Sequence, residues 1–196
     1  MILLGLTGGI GMGKSTAATF LHARDIPIID TDLIARELVE PGQPALEEIR
    51  QAFGNHLIDP DGRLLRHELA QKVFAHPGAR LQLESILHPR IRQMWQARAE
   101  EWRREDVPLG VVVIPLLFET EASAVFDAIL CVACSPGTQH SRLHDRGWSE
   151  VEIRNRQAAQ WPVEKKMEAA DFVVWTDTNV ETHAAQLDFL LKTFPG

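Results

Sequence analysis

The chain has 196 residues, a net charge of −7, and 45% hydrophobic against 24% charged residues. That balance suits a folded α/β protein with a sizeable core and excludes a mainly electrostatic binder of nucleic acid or anionic membrane, so a polyanionic ligand has to be met by a local basic cluster. The uncharged stretches fall short of the ~20 residues that a membrane span needs, and no basic segment precedes the first apolar run, so the expectation is a cytoplasmic protein without nucleic-acid or membrane partners.

In chain order, the apolar run Ile2-Leu3-Leu4-Gly5-Leu6 predicts a buried strand, and residues 15–23 carry Ala17, Ala18, Phe20 and Leu21 at helical spacing. Between them lies Gly8-Gly9-Ile10-Gly11-Met12-Gly13-Lys14-Ser15, which fills every fixed position of the G-x-x-x-x-G-K-[ST] phosphate-binding loop. Glycines allow φ > 0 and close approach to an anion, and successive N–H groups at the following helix N-terminus then cradle it. Lys14 is placed to reach the β- and γ-phosphates of a nucleoside triphosphate, and the Ser15 hydroxyl to ligate Mg²⁺.

Ile26-Pro27-Ile28-Ile29-Asp30 predicts a second strand, and a helical pattern begins at Leu33. Asp32 therefore lies just past a strand's carboxyl end, on the side where open α/β sheets bind ligands and where the phosphate loop opens. It is also placed to cap the helix, with Arg36 one turn further on. Pro41-Gly42-Gln43-Pro44 breaks the pattern, and a helical region follows, with pieces over 45–53, 66–74 and 79–87. A separate long helix is expected from His88-Pro89 towards Arg104, with Trp95 and Trp102 one heptad apart. An insertion of this kind between strands suggests a substrate-binding subdomain.

Val111-Val112-Val113-Ile114 predicts a central strand that ends in Pro115-Leu116-Leu117-Phe118-Glu119, with no aspartate for the usual second metal-binding motif. Residues 128–134 predict another buried strand. Cys131 and Cys134 lie on it three apart, hence on opposite faces, which suits buried thiols rather than a metal pair or disulfide. His140 and His144, four apart with no acidic residue between, read as surface histidines. Arg142, Arg146, Arg154 and Arg156, with Lys165-Lys166 at the end, form a basic stretch poor in large apolar residues, which suits a lid over phosphates. Phe172-Val173-Val174-Trp175 predicts a fifth strand, and residues 180–194 a closing helix with Leu187, Leu190 and Leu191 inward.

Five strands alternating with helices predict an α/β fold: a nucleotide-binding core with a five-stranded parallel sheet, a helical substrate-binding insertion and a lid. The expected division is 1–36, 107–135 and 168–196 for the core, 37–106 for the insertion and 136–167 for the lid. A guanine-reading N-K-x-D motif is missing, which weighs against a GTPase switch.

Taken together, these segments resemble the dephospho-coenzyme A kinase family from the first strand to about Asp171. The likeness rests on residues 5–15, on Asp30-Thr31-Asp32-Leu33-Ile34-Ala35-Arg36, and on Asp61-Gly62 with Leu64, Arg66, Leu69 and Val73-Phe74. It continues through Leu87-His88-Pro89-Arg90-Ile91, Pro115-Leu116-Leu117-Phe118-Glu119, Gln139 with Arg142-Leu143 and Arg146, and Arg156 with Ala158-Ala159-Gln160, Lys165 and Ala170-Asp171. Met12 departs from the family's usual serine, Thr31 from its alanine, and Trp175-Thr176-Asp177-Thr178 from the asparagine and glycine of the loop bordering the nucleotide base.

The resemblance implies ATP- and Mg²⁺-dependent phosphorylation of the ribose 3′-hydroxyl of dephospho-coenzyme A, the last step of coenzyme A synthesis. It implies nucleotide binding by Gly8, Gly9, Gly11, Met12, Gly13, Lys14, Ser15, Thr16, Arg142 and Arg146, with Ser15 on the metal. Asp32, Lys14 and Arg142 take catalytic roles, and Asp32, Arg36, Arg66, His88 and Arg90 hold the acceptor. Another small-molecule kinase of this fold, or a non-catalytic nucleotide-binding protein, remains the alternative; the acceptor that drives ADP release separates them.

Overall fold

A computed structural model of the chain describes residues 1–194, so the last two positions of the expected core segment lie outside the described residues. The chain divides into two compact units, Thr31–Ala97 and the remainder.

The larger unit is built on five parallel strands, β1 (Ile2–Gly8), β2 (Ile28–Asp30), β3 (Leu109–Val113), β4 (Ala128–Ala133) and β5 (Phe172–Trp175), in the order β2-β3-β1-β4-β5. Helices α1 (Lys14–His22), α6 (Pro136–Asp145), α7 (Glu150–Ala158), α8 (Val163–Ala169) and α9 (Val180–Leu191) belong to the same unit. A parallel sheet covered on both faces reads as continuous apolar runs, and β3 and β4 are such runs, buried at nearly every position. Leu4, Leu6, Val111, Val113, Leu130 and Val132 of the sheet pack with Ala17 and Leu21 of α1 and Leu187 and Leu190 of α9. Leu191 lies at the margin of that core.

Register is fixed by the same device twice. Asp127, just before β4, accepts a hydrogen bond from the Leu3 N–H at 2.7 Å and donates its own N–H to the Leu3 carbonyl at 3.0 Å. Asp171, just before β5, accepts from the Ile129 N–H at 2.8 Å and donates its own N–H to the Ile129 carbonyl at 3.0 Å. Each carboxylate takes the place of a backbone carbonyl where its strand begins. At the far edge, the Gln186 amide on α9 accepts from the Trp175 N–H at 2.9 Å and donates to the Trp175 carbonyl at 2.8 Å. Cys131 and Cys134 are buried and free, and burial pushes the Cys131 thiol up to about 11.

In the smaller unit, α2 (Thr31–Glu37), α3 (Pro44–Phe53), α4 (Arg66–Ala75) and most of α5 (Pro77–Arg104) gather around Val39, Leu46, Ile49, Phe53, Leu57, Leu69 and Val73. The two helices expected either side of His88-Pro89 are one helix, α5, with Pro89 inside it. An internal proline costs about 3 kcal/mol because it removes a hydrogen bond and crowds the preceding turn. Apolar packing offsets that here: Leu83, Ile86 and Leu87 before the proline pack on the cluster, and Trp95 beyond it is buried. The Arg90 guanidinium also donates to the Ile86 carbonyl at 2.6 Å.

The expected lid segment contains α6, α7 and α8. Its end is not a solvated basic face: Lys166 is fully buried. Its ammonium donates to the Pro115 carbonyl at 2.6 Å and pairs with Glu119 at 2.8 Å, and that carboxylate also accepts the Trp161 N–H at 2.7 Å. The other Glu119 oxygen is buried with no hydrogen-bond partner. Breaking a buried pair from one side strands the other charge. Lys166→Met should therefore lower unfolding free energy by about 3–5 kcal/mol, and Lys166→Met with Glu119→Gln should recover part of it. Urea melts of the three proteins check this; a single-variant loss below ~1 kcal/mol would mean that Glu119 is served by solvent.

Candidate functional site: a phosphate loop held open

The loop between β1 and α1 is shaped from both ends. Gly8, at φ 144°, lies against β4, where any side chain would run into the Val132 carbonyl oxygen. Gly13, at φ 97°, is the left-handed N-cap of α1, and no side chain caps the helix there. The first N–H groups of α1 thus have no capping side chain, the condition under which a helix start binds an anion. Met12 is 2% exposed and lies against Gly9, so its side chain faces into the protein, and its N–H closes a turn onto the Gly9 carbonyl at 3.3 Å. The Lys14 ammonium donates to the Gly8 and Gly9 carbonyls at 3.0 and 2.9 Å, folded back along its own loop.

The loop is also held from outside. The Gln139 amide on α6 donates to the Ile10 carbonyl at 2.7 Å, while the Ile10 N–H donates to the Gln160 side-chain oxygen Oε1 at 3.1 Å. Gln157 of α7 in turn donates to Gln139 at 2.9 Å. Leu143 of α6 is fully buried and in reach of Gly11. The sequence shows both glutamines but not these roles, because the contacts join positions about 130 and 150 residues apart.

A cavity of about 150 Å³ opens beside the loop. Gly11, Gly13, Ser15, Thr16, Arg142 and Arg146 line one part of it, and Thr176, Thr178, Asn179, Val180 and His183 the rest. The nucleotide-binding positions read from the sequence therefore meet, apart from Gly8, Gly9, Met12 and Lys14, which build the loop itself. Of the residues from Thr176 to His183, the sequence marks Thr176 and Thr178 only through the loop that the family resemblance sets beside the nucleotide base. Asn179 caps α9 by accepting the Thr182 N–H at 2.9 Å, and apart from that loop the cap is the segment's one sequence signal. His183 is 3% exposed, its Nε2 has no partner, and its ring meets Phe20 edge-on. Burial, and then the positive charge of Arg142, hold its pKa below the ordinary histidine value, so it is neutral near pH 7.

In the smaller unit, Asp32, Ala35, Arg36, Val39, Ile49, Leu64, Arg66, Leu69 and Leu87 line a groove of about 280 Å³ with an apolar floor. Asp32 lies in the first turn of α2 rather than at its N-cap, where a carboxylate still favours the helix dipole. Arg66 donates to Glu40 at 2.9 Å and to the Arg36 carbonyl at 3.3 Å. The other two expected acceptor residues are not among those lining this groove. Arg90 pairs with Glu48 at 2.6 Å, and burial lowers the pKa of the half-buried His88. Among the described residues, no cluster of histidine, cysteine or carboxylate side chains could hold a metal ion, and no helix is long and apolar enough to cross a membrane.

Known proteins match this arrangement over its whole length. A relative from Anaeromyxobacter dehalogenans named dephospho-CoA kinase is 43% identical, covering 100% of this chain and 93% of its own. One of the same name from Bdellovibrio bacteriovorus is 42% identical, covering 96% of this chain and 94% of its own. A crystal structure of a Thermus thermophilus protein superimposes with a TM-score of 0.82 at 33% identity, over 100% of this chain and 98% of the other. The profile of the family described as dephospho-CoA kinase matches residues 2–182, and the chain belongs to that family.

Proposed function

We propose that this protein transfers the γ-phosphoryl group of ATP to the ribose 3′-hydroxyl of dephospho-coenzyme A, yielding coenzyme A and ADP. The observation that carries this reading is the complete phosphate loop, with the uncapped α1 start opening on a cavity that Arg142 and Arg146 line. Phosphoryl transfer has a loose transition state, so the work is positioning and charge neutralisation. On nucleotide binding, Lys14 exchanges its loop carbonyls for β- and γ-phosphate oxygens, and the N–H groups of Gly13 to Thr16 hold the phosphate chain. Arg142 and Arg146, which line the same cavity, neutralise charge there.

A Mg²⁺ ion suits this donor set. Ser15 is exposed and lines the cavity, and Mg²⁺ commonly takes one or two protein ligands beside phosphate oxygens and water. When bound, the ion neutralises phosphate charge.

On the acceptor side, the groove beside α2 supplies Arg36 and Arg66 for substrate phosphates, an apolar floor for uncharged parts, and Asp32 to orient the 3′-hydroxyl and take its proton. His88 and Arg90 support that unit around the groove. The lid role belongs to 136–167 in part only. Gln139, Leu143 and Lys166 are anchored, whereas α7 exposes Val151, Arg154 and Asn155 and is the segment expected to order over ligand. The acidic net charge agrees with a cytoplasmic enzyme that has small-molecule partners and no nucleic acid.

Three measurements test the reading. Lys14→Ala should cut turnover by about 10³-fold or more with an unchanged melting temperature, since the loss falls on transition-state charge stabilisation; near-normal turnover removes the loop from the mechanism. Asp32→Asn should lower kcat by ~10²-fold or more while shifting stability by only a few tenths of a kcal/mol, and ADP release should depend on the acceptor's 3′-hydroxyl. Normal turnover of this variant overturns the base assignment, and preference for AMP or shikimate overturns the acceptor. Amide hydrogen exchange in α7 should slow with ATP and acceptor while the Gln139–Leu143 stretch of α6 stays protected throughout; equal rates in α7 count against the lid.

A further inference from the structure

We propose that Thr176 is a positioning residue for phosphoryl transfer: it fixes the Arg142 guanidinium at the nucleotide cavity and ties it to the phosphate loop. Thr176 is 2% exposed, and its polar atoms join three parts of the fold. Its N–H donates to the Ala133 carbonyl at 2.8 Å, extending the β4–β5 ladder by one step. Its hydroxyl donates to the Met12 carbonyl inside the phosphate loop at 3.0 Å. The Arg142 guanidinium then donates to that same hydroxyl at 2.9 Å and to the Thr176 carbonyl at 2.6 Å. The arginine is thus gripped by two nitrogens on one residue, and that residue is bonded to the loop the arginine works beside.

The grip is stiff because both neighbours of Thr176 are pinned. Trp175 is bonded through its N–H and carbonyl to Gln186. The Asp177 carboxylate accepts from the Ser135 N–H at 2.9 Å and from the Trp175 indole N–H at 2.8 Å. Ser135 is the N-cap of α6, the helix that carries Arg142. The sheet end and the start of that helix are therefore locked together around the threonine.

Both oxygens holding Arg142 are neutral. A carboxylate partner would fix the side chain and also cancel its charge; a hydroxyl and a carbonyl fix it and leave the charge for an anion. Arg142 lines the cavity with Gly13 and Ser15, so an oriented, uncancelled cation stands beside the phosphate cradle. This is pre-organisation: an arginine already held there loses less rotamer freedom when the phosphate arrives.

The inference rests on the assignment of Arg142 to the nucleotide, and the test separates the two. Dissociation constants for Mg-ATP, measured by calorimetry, are compared for the unaltered protein, Thr176→Val, Arg142→Ala and the double variant, with Thr176→Ser as the conservative control. Thr176→Val should weaken binding about tenfold, Thr176→Ser by less than about twofold, and Thr176→Val should add less than about twofold once Arg142 is alanine. A merely structural threonine lowers the melting temperature but shows no such coupling. If Thr176→Val costs the same factor with and without Arg142, or if serine fails to rescue, the positioning role is overturned. If Arg142→Ala leaves Mg-ATP binding unchanged, the assignment of Arg142 falls and this inference falls with it. Should the valine protein not fold, Thr176→Ala takes its place in the cycle.

Discussion

The backbone of residues 8–15 has one requirement that everything around it serves: the N–H groups where the loop enters α1 must be left to face an anion. A short glycine-rich segment does not hold that shape by itself, because each glycine has many competing conformations. The restraint comes from side chains elsewhere in the chain. Gln139 and Gln160 occupy the carbonyl and N–H of Ile10, the Thr176 hydroxyl occupies the carbonyl of Met12, and Val132 leaves no room beside Gly8. Carbonyls that could turn towards the phosphate and repel it are bonded away from it.

Charge follows the same economy in a chain with more acidic than basic groups. Several arginines are paired with carboxylates: Arg24 with Asp188, Arg50 with Glu47, Arg66 with Glu40 and Arg90 with Glu48. Arg142 is held by neutral oxygens instead. The pair of Arg66 with Glu40 is half exposed on both sides, so it contributes about 1 kcal/mol or less. Such a pair yields readily to a phosphate, so Arg66 is neither fixed by neutral oxygens as Arg142 is nor committed to a buried pair as Lys166 is.

The strands were legible because each is an apolar run closed by polar or turn residues, and a parallel sheet buries such runs whole. The phosphate loop was legible because its chemistry tolerates few residue types at fixed spacing. Pro89 misled because the local rule is sound but smaller than the packing on either side of it. Lys166 misled because a lysine spelled beside another lysine carries no sign of the glutamate that buries it 47 positions away. His183 was silent for a related reason, and Thr176 was legible only as part of an unusual loop: a histidine on a helix and a threonine after a strand are ordinary until three-dimensional neighbours give them a role.

The last strand of the sheet ends with Val173, Trp175 and, on the adjoining helix, Phe189 in solvent at 44%, 38% and 73% exposure. An open edge flanked by apolar side chains is a template on which a second chain can add a strand, the usual route to insoluble assemblies. Gln186 imitates that missing strand with one amide, filling both the donor and the acceptor of Trp175 from within the same molecule. A short edge whose last residue is already bonded offers an incoming chain little ladder to extend. Protection of that edge is thus in part the work of one glutamine on α9, the same side chain that pins Trp175 beside Thr176.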